Sequence, residues 1–90
     1  MGNSGVRTWG IFNGRADLAI RCVKLLDLKE HIPAIRKYLY DKNNVIRIAA
    51  IAALSQWQDE QSKPAFQKAA DSKSVRLQRA GKAALERLED

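Results

Sequence analysis

The chain has 90 residues, enough for one small domain with a thin core and too few for two. Its 46% hydrophobic and 29% charged content is a globular mixture and excludes a disordered segment, while the lack of any apolar run near the roughly 18 residues of a membrane span predicts a soluble chain with no membrane partner. A net charge of +6 directs attention to acidic partners, nucleic acid among them.

Residues 1–13, MGNSGVRTWGIFN, hold three glycines and no sustained helical spacing. Trp9, Ile11 and Phe12 are too apolar for free exposure, so this stretch reads as an irregular lid or linker ahead of a helical domain over 14–90. Asn13 is the expected cap of a first helix over 14–26, with Leu18, Ala19, Cys22, Val23 and Leu26 on its buried face. A turn over 27–30 leads to a second helix over 30–40 that buries Ile32, Ile35 and Leu39. Pro33 lacks an amide hydrogen and therefore belongs in its opening turn.

After the polar turn Asp41-Lys42-Asn43, a central helix capped by Asn44 runs to Gln56. Its alanines at 49, 50, 52 and 53 admit close neighbours, and Ile46, Leu54 and Trp57 occupy the gaps between them. A fourth helix over 60–70 repeats the proline and presents Phe66, Ala69 and Ala70; it is expected to be the weaker of the two outer helices. Ser74 caps a last helix over 75–89, whose stripe is Leu77, Ala80, Gly81, Ala84, Leu85 and Leu88.

These elements recur at a fixed step of 31 residues. Pro33-Ala34 returns as Pro64-Ala65, Val23 as Leu54 and Leu85, Leu26 as Trp57 and Leu88, and Ala19 as Ala50 and Gly81. A period of this length marks a helical solenoid. The run Asp41-x-x-x-Val45-Ile46-Arg47-x-x-Ala50-x-x-Ala53-Leu54, followed by Trp57 and Pro64-Ala65, closely resembles a HEAT repeat, and the short period with alanine-rich inner helices is similar to the subtype associated with phycobilin lyase subunits. The resemblance covers roughly residues 14–89. It implies an all-α, right-handed α-α superhelix of about five helices, or two and a half repeats, and a ladder of hydrogen bonds through Asp41 and Arg47. Ser72 and Gln78 depart from that pattern in the following repeat, as do Gly10 and Ala16 in the preceding one.

The column Ile20, Ile51, Lys82 and the pair Ile48, Arg79 exchange apolar residues for charges in the last helix, as a terminal repeat does on a face with no further neighbour. The leading functional expectation is a non-enzymatic protein-binding scaffold whose inner-helix face is lined or bordered by Ile20, Arg21, Lys24, Arg47, Ile48, Ile51, Arg79 and Lys82. Two alternatives stand beside it: a nucleic-acid-binding module using Arg76, Arg79, Lys82 and Arg87, and an accessory subunit of a bilin lyase. Acidic residues interrupt the positive charge, and no aromatic is interleaved with the last helix's basic residues for base stacking, so nucleic acid is not the favoured partner. Self-association, or membership of a longer array, is compatible with so small a core.

Chemistry beyond binding finds little support. His31 opens an outer helix beside Glu30, where capping or surface roles are commonest, and no second histidine or cysteine lies near it. Cys22 shares a column with Ala53 and Ala84, which predicts a buried, reduced structural thiol in a cytoplasmic chain. No enzyme activity, cofactor or metal is expected.

Overall fold

The computed structural model describes residues 15–90, and the regular elements among them are all helical. Three longer helices form an inner row: α1 at Ala16–Leu25, α3 at Asn44–Gln56 and α5 at Val75–Glu89. Two shorter ones form the outer row, α2 at Ile32–Arg36 and α4 at Lys63–Ala70. This is the five-helix, all-α, solenoid-like arrangement that the sequence predicts. The lid over 1–13 and the cap at Asn13 lie outside the described residues.

Both outer helices begin in the same way. A 3-10 turn, Lys29–His31 or Glu60–Ser62, leads into the α-helix, and Pro33 or Pro64 sits in the first turn, where a missing amide hydrogen costs nothing. They then diverge. The segment expected as one helix over 30–40 passes from α2 into a second 3-10 turn, Lys37–Tyr40, whereas α4 stays α-helical for eight residues. The expected weakness of α4 is therefore reversed, in keeping with the high helix propensity of Ala65, Ala69 and Ala70.

The first two inner helices, α1 and α3, end in matching Schellman turns. In the first, the Asp27 amide donates to the Lys24 carbonyl and the Leu28 amide to that of Val23; in the second, Gln58 donates to Ser55 and Asp59 to Leu54. Asp27 (φ 55°) and Gln58 (φ 50°) occupy the left-handed position that glycine usually fills. Each also reaches the next inner helix or its end: Trp57 Nε1 donates to Asp27 Oδ1 at 2.6 Å, and Gln58 Nε2 donates to the Arg87 carbonyl at 2.6 Å.

The expected ladder through Asp41 and Arg47 is absent among the described residues. Asp41 Oδ1 instead accepts the Asn43 amide at 2.8 Å, and the same turn recurs where Ser72 Oγ accepts the Ser74 amide at 3.0 Å. Arg47 donates to the Leu39 carbonyl and to Asn44 Oδ1, both at 3.4 Å. A short turn engages Asp41 locally before the guanidinium can compete for it. The cap of α3 is Asn43 rather than Asn44, its Oδ1 accepting the Val45 amide at 2.8 Å.

The core places Ile35, Leu39 and Phe66 of the outer row against Ile20, Val23, Ala50, Ile51, Leu54 and Leu77 of the inner row. Gly81 is set by α4: a Cβ there would lie 2.6 Å from the Phe66 carbonyl oxygen and closer still to the Ala70 nitrogen. Two columns show how the stack is directed. Ile20 and Ile51 are buried whereas their counterpart Lys82 is exposed; Ala53 and Ala84 are buried whereas Cys22 is exposed. The two columns stand about 200° apart on a helix, so one faces the following inner helix and the other the preceding one. The predicted burial of Cys22 is thus corrected, because no preceding inner helix covers it among the described residues. Leu18 and Leu26, also assigned to the core, are exposed on the same side of α1.

Candidate protein-interaction groove

The inner helices present three parallel rows to one side of the stack. On α1 the row is Asp17, Arg21 and Lys24; on α3 it is Val45, Ile48, Ala49, Ala52, Ser55 and Gln56; on α5 it is Arg76, Ala80, Ala83 and Arg87. Spacings of three and four residues keep each row on one helical face. They line two adjoining concavities of about 320 and 400 Å³ that share Ala52, forming one shallow groove along α3.

Small side chains make this groove. Ala49, Ala52, Ala80 and Ala83 place nothing beyond a methyl group between the walls, while Val45 and Ile48 raise the floor at one end. Arg21 and Lys24 stand on the α1 wall, Arg76 and Arg87 on the α5 wall. The acid among the lining residues is Asp17, whose carboxyl the Arg15 guanidinium, 3.4 Å away, holds below its ordinary pKa. The groove is therefore apolar at its base and positive on both walls.

The expected binding residues divide accordingly. Arg21, Lys24 and Ile48 line the groove. Ile20 and Ile51 are 0% and 1% exposed, so neither is available to a partner; each lies one position, or about 100° of helical turn, from the accessible row. Arg47 turns toward the carbonyl end of the Lys37–Tyr40 turn. Arg79 and Lys82 are exposed but outside the lining, with Lys82 on the opposite side of α5 from Ala84. Of the basic set Arg76, Arg79, Lys82 and Arg87, the first and last line the groove and the other two stand exposed beside it. Sequence reasoning missed the small lining residues Ala49, Ala52, Ala80 and Ala83, although the column Arg21, Ala52, Ala83 was visible at the repeat spacing.

Elsewhere, the strongest ionic contact is structural. Arg36 of α2 donates through Nε and Nη2 to the two oxygens of Asp59, at 2.9 and 2.6 Å, and the buried Ser62 hydroxyl donates to the same carboxylate at 2.5 Å. The Arg36 guanidinium holds the Asp59 carboxyl below its ordinary pKa, against the opposing effect of burial, with Ser62 assisting. So engaged, Asp59 is a scaffold acceptor and not a general base. Among the described residues, no group of three or more His, Cys, Asp or Glu side chains is placed to hold a metal ion, and no helix is long and apolar enough to cross a membrane.

A profile of HEAT repeats matches residues 16–86, almost the whole described region. The chain belongs to the HEAT-repeat family. No curated protein and no solved structure matches it. HEAT repeats generally serve as protein-interaction scaffolds and are typically non-enzymatic, and in this HEAT-repeat chain the accessible inner-helix surface is the groove just described.

Proposed function

We propose that this HEAT-repeat chain is a non-enzymatic protein-interaction module that takes its partner along the groove of its inner helices. The observation that carries the reading is the run of small side chains, Ala49 and Ala52 on α3 with Ala80 and Ala83 on α5, that lines a concave surface beside the α1 row among the described residues. A solenoid that needed only stability would gain by filling such a depression with larger apolar side chains. The 31-residue spacing of corresponding turns and caps supports the short repeat subtype, and a bilin-lyase role rests on that likeness alone.

The test is capture of partners from source lysate, with and without nuclease, on wild-type protein and on Ala52→Trp. Ala52 is exposed, so the indole can occupy the groove without entering the core. A protein that survives nuclease and is lost with Ala52→Trp supports the proposal. Capture unaffected by the substitution would refute the groove as the binding face, and loss of all capture after nuclease would favour nucleic acid.

A further inference from the structure

We infer that the groove's partner segment is an acidic amphipathic α-helix with a small-aliphatic stripe, a refinement that rests on the interaction role proposed above. The first argument is charge. Among the described residues, none of Arg21, Lys24, Arg76 and Arg87 is held in an ion pair, in contrast to Arg36, which is fully engaged by Asp59. The one lining acid, Asp17, is already engaged by Arg15. Cations on two opposite walls, facing the same channel, call for a ligand that carries negative charge on both flanks.

The second argument is shape. Val45 to Gln56 spans about 16 Å of helix axis, three turns, which sets the length of the channel. The α3 row lies between those of α1 and α5, so a helix of roughly 10–12 Å diameter laid along α3 carries its flanks toward the cations of both neighbours. The methyl floor of Ala49, Ala52, Ala80 and Ala83 then permits close approach by a stripe of alanine or leucine at positions i, i+3, i+4 and i+7, the usual register for a helix laid in a groove. A nucleic-acid backbone would satisfy the walls but leave this floor bare, and no lining residue is an aromatic on which a base could stack.

The probe is a displayed library of helical peptides about 14 residues long, randomised on all faces and selected against the wild-type chain at physiological salt. The expected winners carry Asp and Glu on both flanks of an Ala/Leu stripe. Their affinity should fall at least about tenfold, one decade of equilibrium constant, in Arg21→Glu and in Arg87→Glu, and be lost in Ala52→Trp. These three positions are exposed, and circular dichroism checks that each variant stays helical. Enrichment of neutral or basic peptides, no enrichment at all, equal binding of a scrambled acidic peptide, or full competition by single-stranded DNA of equal charge would overturn the inference. If selection fails while a lysate partner still depends on Ala52, the acidic-helix inference falls and the interaction module stands; if that dependence is also missing, both fall.

Discussion

Trp57 and Asp27 join successive repeats at their most constrained point: the indole Nε1 of one inner helix donates at 2.6 Å to the carboxylate of the left-handed residue that ends the preceding one. The same residue that reverses the chain therefore also registers the next helix against it. Asparagine tolerates a positive φ and retains an acceptor oxygen, whereas a β-branched residue does neither. Asp27→Asn should change stability by less than about 0.5 kcal/mol, and Asp27→Val should cost about 2–3 kcal/mol, combining backbone strain with a lost hydrogen bond. Chemical denaturation of the two variants tests this; a negligible loss in both would show that neither the φ angle nor the acceptor matters.

The Arg36–Asp59–Ser62 cluster predicts a pH signature. Because the folded-state pKa of Asp59 lies below its unfolded value, the unfolded chain binds the proton more readily. The cluster's contribution is present above the unfolded value near pH 4 and disappears as pH falls through the folded one. The Asp59 side chain is 8% exposed and that of Arg36 31%, so the pair is only partly screened by solvent. Asp59→Asn should destabilise by about 1–2 kcal/mol at pH 7. Urea titrations of wild type and variant should converge as the pH falls below the unfolded carboxyl value, and a deficit independent of pH would remove the ionic account.

Gly81 predicts a packing limit. A methyl group there meets backbone atoms of α4 at Phe66, Ala69 and Ala70, which have no rotamer by which to yield. Gly81→Ala improves intrinsic helix propensity by about 1 kcal/mol yet should lower net stability by about 1–3 kcal/mol, since overpacking against backbone outweighs the gain. A variant that melts above the wild type would show that α4 moves aside freely.

Cys22 predicts a chemical asymmetry between equivalent positions. Exposed on α1, it should react with a thiol reagent in native protein nearly as fast as in denaturant. A cysteine placed at Ala53 in a Cys22→Ala background should instead be protected until the chain unfolds, because Ala53 is completely buried. Mass spectrometry of timed alkylation distinguishes the two, and equal protection of both would show that the N-terminal side of α1 is covered.

The inner helices explain why the candidate face was harder to read than the fold. α3 is apolar through nearly its whole circumference, Val45-Ile46-x-Ile48-Ala49-Ala50-Ile51-Ala52-Ala53-Leu54, so its pattern defines a helix without defining which side is buried. Ile20 and Ile51, outward by the sequence pattern, are buried, one residue in rotational phase from the accessible row. A helix wheel cannot resolve that step when isoleucine points to the following helix and alanine to solvent.

Sequence alone determined the number of helices, the proline-led outer pair, the alanine-bearing inner row and the close match of α5 to its expected span, because these depend on local propensity and on spacing repeated within the chain. Only the tertiary structure decided which apolar columns enter the core, which arginines remain free, and how Asp27, Trp57, Gln58 and Arg87 connect the repeats. Those outcomes depend on what stands beside each helix. An alanine becomes core beside a preceding helix and groove floor beside none, although the residue itself is the same.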